Sequence, residues 1–135
     1  MNEMIDRFHR IHPYLLSILR IMAGLLFIQH GCAKILGIIP TPNQPAFLSL
    51  IWFAGLIELV GGALLIIGLK TRFVAFICSG LMAFAYFIGH FPKGFIPLLN
   101  QGNLAILYCF VFLYLASAGA GPLSLDSARA KSSAM

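Results

Sequence analysis

The sequence predicts an all-α fold: an integral membrane bundle of four transmembrane helices with both termini cytoplasmic. Three observations carry that expectation. Hydrophobic residues make up 60% of the 135 and charged residues only 10%, whereas a soluble domain carries about 25% charged residues. Mean hydropathy is accordingly +0.93. Four continuous apolar runs, roughly residues 14–36, 47–69, 73–91 and 103–120, match or approach the ~20 residues a helix needs to cross a bilayer core. A β-barrel would instead show alternating segments of about 10 residues. Finally, six Lys and Arg residues (Arg7, Arg10, Lys70, Arg72, Arg129, Lys131) fall on one side of such a bundle, and two (Lys34, Lys93) on the other. Basic residues concentrate in cytoplasmic loops, so the net charge of +5 reports topology and does not call for a nucleic-acid partner. The expected location is the bacterial cytoplasmic (inner) membrane, as a multi-pass, N-in/C-in protein.

Residues 1–13 read as a polar cytoplasmic N-terminal segment, a candidate short interfacial helix, with His9 and His12 solvated. The first run starts near Pro13, a residue tolerated in a first helical turn. It is read as a retained helix because it is longer than a signal h-region, holds Arg20 and ends without a small-residue cleavage pattern. The first connection carries Pro40, Pro42 and Pro45 and no charge. Only "KTR" joins the second and third runs, so those helices should be antiparallel neighbours. The third connection sets Phe91, Phe95, Ile96, Leu98 and Leu99 among prolines and glycines, as an amphipathic cover for the outer mouth. The membrane domain spans 14–120, and the Ser/Ala-rich tail, 121–135, is expected to be a disordered cytoplasmic segment.

Cys32, Cys78 and Cys109 all fall inside apolar runs with no C-x-x-C, so they read as buried thiols. No nucleotide loop or serine-hydrolase elbow occurs. Within the runs, Arg20 lies about 10 Å and Glu58 about 18 Å from the cytoplasmic ends of their helices. That makes Arg20–Glu58 the expected buried polar pair, because a charge near the bilayer centre costs about 2.5–3.5 kcal/mol or more. Such a pair either fixes helix register or serves as a polar switch beside a ligand. Arg20, Gly24, Phe27, Gly31 and Lys34 follow one helical face, as do Gly55, Glu58 and Gly62. Small residues on those faces let membrane helices approach closely.

A second polar set gathers at the outer end. His30, His90 and Asn103 lie about 24–27 Å up their helices, beside Lys34, Tyr86, Asn100 and Gln101. These seven are the ligand-binding candidates, for an amphiphile such as a quinone; the bland alternative is ordinary interfacial polarity. No metal site is expected, since no carboxylate shares the depth of the two histidines and no E-x-x-H occurs.

The segments "LRIMAGLLFIQHGCAKILG", "AGLIELVGGALLIIGLKTR" and "NQGNLAILYCFVFLYLASAGAGPLSLD", with the His90 region, resemble the DoxX family of small four-helix bacterial membrane proteins. The resemblance spans roughly residues 15–126. It implies a four-helix bundle, charged positions at Arg20, Lys34, Glu58 and Arg72, and an association with quinone-linked or redox-stress membrane complexes. The chain departs from the family pattern at Asn103, where many relatives are acidic, and at Ala120, where many have proline. No self-contained catalytic site is visible. The expected role is an accessory subunit of a quinone-linked redox system that binds a quinone or lipid-like amphiphile. Membrane lipids, redox-complex subunits and a homo-oligomer are the expected partners, and quinone is the one cofactor suggested. The alternatives are a structural or assembly subunit with no ligand, and a small transporter with Glu58 on the permeation path.

Overall fold

The computed structural model describes all 135 residues. The fold is entirely helical, without a strand. Helix α1 runs Asn2–Gly31 and continues as a π-helical turn, Cys32–Leu36, that ends at Gly37 in the left-handed region. Helix α2 spans Leu50–Ile67, capped by the Ser49 hydroxyl, which accepts from the Trp52 amide at 3.2 Å. Helix α3, Thr71–Ala85, also passes into a π-helical turn, Tyr86–His90, and then a 3-10 turn, Phe91–Lys93. A single turn, α4 (Pro97–Asn100), leads to α5, Asn103–Ala118. Helix α6, Leu125–Ser133, closes the chain. The helices containing α1, α2 and α3 are long and apolar enough to cross a membrane, and α5 is a shorter apolar helix of 16 residues.

Two expectations need correction. The N-terminal segment is not separate from the first helix, because α1 begins at Asn2 and carries Pro13 within it. Proline lacks the amide that would bond the carbonyl four residues back. The whole of 1–15 is exposed, so water can serve that carbonyl and the helix continues. The tail is not disordered either. Ser124 caps α6 by accepting from the Ser127 amide at 3.1 Å, and the first turn of α6 is tied to the α2–α3 turn.

Helices α1 and α2 pack face to face, as do α3 and α5. The glycine faces read from the sequence form the first of these seams. Gly24 and Gly31 on α1, and Gly55 and Gly62 on α2, are all buried. A Cβ on Gly31 would fall on the backbone of Leu59, and one on Gly62 would lie 2.7 Å from Cβ of Ile28. Only glycine permits so close an approach. Phe27 joins the two helix pairs, with its ring 5.5 Å from Tyr108 and 4.8 Å from Phe112. Phe27, Leu65, Ala75, Cys78, Phe112 and Leu115 are completely buried. Most other apolar side chains of the long helices are exposed, as a lipid-facing surface requires.

The end of the bundle near the termini is closed by polar side chains on helix ends. The Arg20 guanidinium donates to the carbonyls of Leu65 (2.8 Å) and Ile66 (3.1 Å), and to that of Leu123. Arg72 does the same for the last carbonyls of α5, at Ala116 and Ser117. Cations at helix C-termini satisfy orphan carbonyls and oppose the helix dipole. Asp126 is the acidic counterpart: its carboxylate accepts from the amides of Lys70 (2.7 Å) and Thr71 (2.8 Å) at the start of α3. Its own amide donates to the Gly68 carbonyl at 2.9 Å. Gly68 is left-handed (φ +70°), and a Cβ there would strike the Arg20 guanidinium.

This clamp predicts an acid-side loss of stability. Burial pushes the Asp126 carboxyl up, but the amides of Thr71 and Lys70 and the charge of Arg20 outweigh it and hold the group below its ordinary 3.8. A carboxyl with a depressed folded value stabilises fully above its unfolded value, and that stability is lost as pH falls through the folded one. Thermal unfolding in detergent should therefore drop below about pH 4 in the wild type. In Asp126→Asn that part of the slope should disappear. An unchanged slope in the variant would show that other carboxyls set the acid limit.

Candidate functional site

At the opposite end of the bundle, a cavity of about 240 Å³ opens between α1, α2, α3 and α5. Its polar wall is made by His30, Lys34, Glu58, His90 and Gln101, and Tyr108 completes the lining from α5. Two of these residues owe their positions to π-helical turns: Lys34 lies in Cys32–Leu36, and His90 ends Tyr86–His90. A π turn inserts an extra residue and re-aims the side chains that follow, and it is found often at functional sites.

The buried ion pair is not the expected Arg20–Glu58. The Lys34 ammonium donates to both oxygens of Glu58, at 2.7 and 2.8 Å, and this is the salt bridge of the structure. Helical geometry explains the correction. Side chains lean toward the N-terminus of their own helix. Lys34 therefore leans down α1 toward Glu58, and Glu58 leans up the antiparallel α2 toward Lys34. Arg20 leans the other way, toward the C-terminal carbonyls of α2 that it bonds. The glycine seam fixes the register, with Gly31 against Leu59 and Gly55 against Lys34. The Glu58 side chain is 5% exposed and that of Lys34 26%, so the acid is the more deeply buried of the two residues on the cavity wall.

His90 is oriented from behind. Its Nδ1 lies 3.0 Å from the carbonyl oxygen of Asn100. That oxygen can only accept, so Nδ1 carries the proton. Asn100 is completely buried and binds the surrounding loop together. Its amide nitrogen donates to the carbonyl of Gly94 (2.8 Å) and to the Tyr86 hydroxyl (3.3 Å), and its side-chain oxygen accepts from the Gly102 amide (2.8 Å). The Tyr86 ring stacks on His90 at 6.4 Å between centroids.

The seven candidates therefore separate into three groups. His30, Lys34, His90 and Gln101 share the cavity wall. Tyr86 and Asn100 stand behind it and hold His90. Asn103 is exposed at the start of α5 and does not line the cavity. Sequence reasoning paired Glu58 with Arg20, yet it lines the cavity at the other end of the bundle. It passed over Tyr108 and Asp126. The only signals for those two were a tyrosine one turn past Ala105 on the buried face of α5, and the acidic residue after the helix-capping "PLS".

Comparison with known proteins places the chain in a family. The DoxX family model matches residues 15–91, more than half of the chain. An uncharacterized protein of Haemophilus influenzae is 43% identical over 128 residues, covering 90% of this chain and 96% of that protein. A second uncharacterized protein of the same organism is 37% identical over 70 residues, covering 52% of this chain and 46% of that one. No solved structure matches significantly. On the family match over residues 15–91 and on 43% identity to the first relative along nearly the whole of both chains, this membrane protein belongs to the DoxX family.

Proposed function

We propose that the chain is an accessory subunit of a quinone-linked membrane redox system, and that its own task is to hold a quinone or lipid-like amphiphile in the outer cavity. Four helices span the inner membrane in this reading, with both termini in the cytoplasm and the cavity at the periplasmic side. One observation carries it: four elements bring His30, Lys34, Glu58, His90 and Gln101 to one small cavity at one end of a mainly apolar bundle. Polar groups at membrane depth are costly, and they mark ligand or ion sites. The volume, about 240 Å³, falls below the ~300 Å³ that begins the usual range of small-molecule pockets. A single polar ring fits that space while its tail stays in lipid. The chain supplies placement and hydrogen bonds, and electron transfer falls to the bound quinone and partner subunits.

Native mass spectrometry of the chain, extracted from its own membranes in mild detergent, tests this reading. The wild type should retain a quinone or lipid mass. The His30→Ala/His90→Ala double variant should lose it while its thermal unfolding stays close to that of the wild type. Retention of the adduct by the variant, or no adduct on the wild type, refutes the pocket. A protein assembly recovered without an adduct would instead support a purely structural subunit. One feature favours that second reading: the first turns of α1 project beyond the bundle with Met4, Ile5, Phe8 and Ile11 exposed.

A further inference from the structure

Granting the amphiphile reading, we infer that the cavity selects a head group bearing a hydroxyl proton, a phenol or the reduced quinol, over one that offers only carbonyl or ether oxygens. The inference begins at His90. With Nδ1–H committed to the Asn100 carbonyl at 3.0 Å, the neutral ring has its lone pair on Nε2. No protein donor reaches that nitrogen. The lock is firm, because Asn100 is completely buried and is itself fixed by Gly94, Tyr86 and Gly102. Exchanging the tautomer would set a lone pair of Nδ1 against the lone pairs of a carbonyl.

Glu58 adds a second fixed acceptor. Each of its oxygens takes one proton from Lys34 and keeps acceptor capacity to spare. The lining also offers donors: the one remaining proton of the Lys34 ammonium, the other two being held by Glu58, and the side chains of His30, Gln101 and Tyr108. A head group with only carbonyl or ether oxygens can use these donors but leaves His90 Nε2 and the carboxylate unmet. A hydroxyl serves both kinds of partner: its proton goes to His90 Nε2 or to the carboxylate, and its oxygen accepts from Lys34. Leaving a sequestered acceptor unpaired costs affinity, so the hydroxyl form is preferred.

The test uses the full chain in detergent micelles, titrated calorimetrically with three probes that share a decyl tail: 4-decylphenol, 4-decylanisole and a decyl-substituted benzoquinone. The phenol should bind about five- to tenfold tighter than the anisole, the worth of one hydrogen bond, and tighter than the benzoquinone. In His90→Phe the phenol-to-anisole ratio should fall, leaving only the share contributed by Glu58. Equal binding of phenol and anisole to the wild type, or tighter binding of the benzoquinone, overturns the selection while leaving an amphiphile site in place. An unchanged ratio in His90→Phe overturns the part assigned to His90. If none of the three probes binds, the amphiphile reading itself falls. The wild-type ratio decides the question even if the variant does not fold.

Discussion

Arg20→Ala should destabilise the protein by about 4 kcal/mol, the combined cost of unmade hydrogen bonds to a charged group and of the space left by a buried side chain. Arg20 is the largest completely buried side chain. Its guanidinium spans two chain segments, joining the last carbonyls of α2 to the Leu123 carbonyl ahead of α6. Removing it strands the buried Leu65 carbonyl and frees the part-buried carbonyls of Ile66 and Leu123. Arg20→Lys should recover less than half of the loss, since one ammonium cannot reproduce a planar fork held between fixed carbonyls. Unfolding in micelles, followed by circular dichroism, measures both. The same experiment separates the observed role from the expected one. If Arg20 served as the counter-ion of Glu58, Arg20→Ala and Glu58→Gln would couple. Sharing no partner, they should instead add within about 0.5 kcal/mol. Coupling beyond that would restore the Arg20–Glu58 pair.

That contrast marks how far the sequence can be read. Apolar run lengths, the "KTR" turn and the glycine faces follow from local rules, and α2, α3 and the α1–α2 seam appear where those rules put them. The buried stripe of Arg20, Gly24, Phe27 and Gly31 was legible for the same reason. Pairing across helices was not legible from depth alone. Measuring each residue from an assumed membrane edge set Glu58 within reach of Arg20, whereas close glycine packing sets the true register and side-chain lean chooses the partner. The lean was available from the sequence once the helices were known to be antiparallel. Other features had no local signature. The π turns that hold Lys34 and His90 carry no periodicity or capping signal in the sequence. The order of α6 depends on Asp126 reaching a turn 55 residues away in the chain. In a sequence read alone, a Ser/Ala-rich tail cannot announce that its first turn is clamped.

Breaking the Lys34–Glu58 pair should have an effect as large as losing Arg20, but a reversible one. Lys34→Met leaves the Glu58 side chain, 5% exposed, without a counter-charge inside the bundle. Removing one partner of a buried pair typically costs about 3–5 kcal/mol. Replacing both partners by apolar residues of similar volume is often neutral, because the desolvation cost of the two ions disappears with their attraction. Lys34→Met/Glu58→Leu should therefore unfold within about 1 kcal/mol of the wild type. This double variant is the informative one. If the pair only fixed register, a folded double variant would keep whatever the wild type binds. If the pair forms the polar wall of an amphiphile site, the double variant should be as stable as the wild type and yet carry no retained ligand in native mass spectrometry. A stable double variant without its ligand would place the contribution of the pair at the cavity it lines. A stable double variant with its ligand still bound would locate the recognition elsewhere on the cavity wall, at His30, His90 and Gln101 alone.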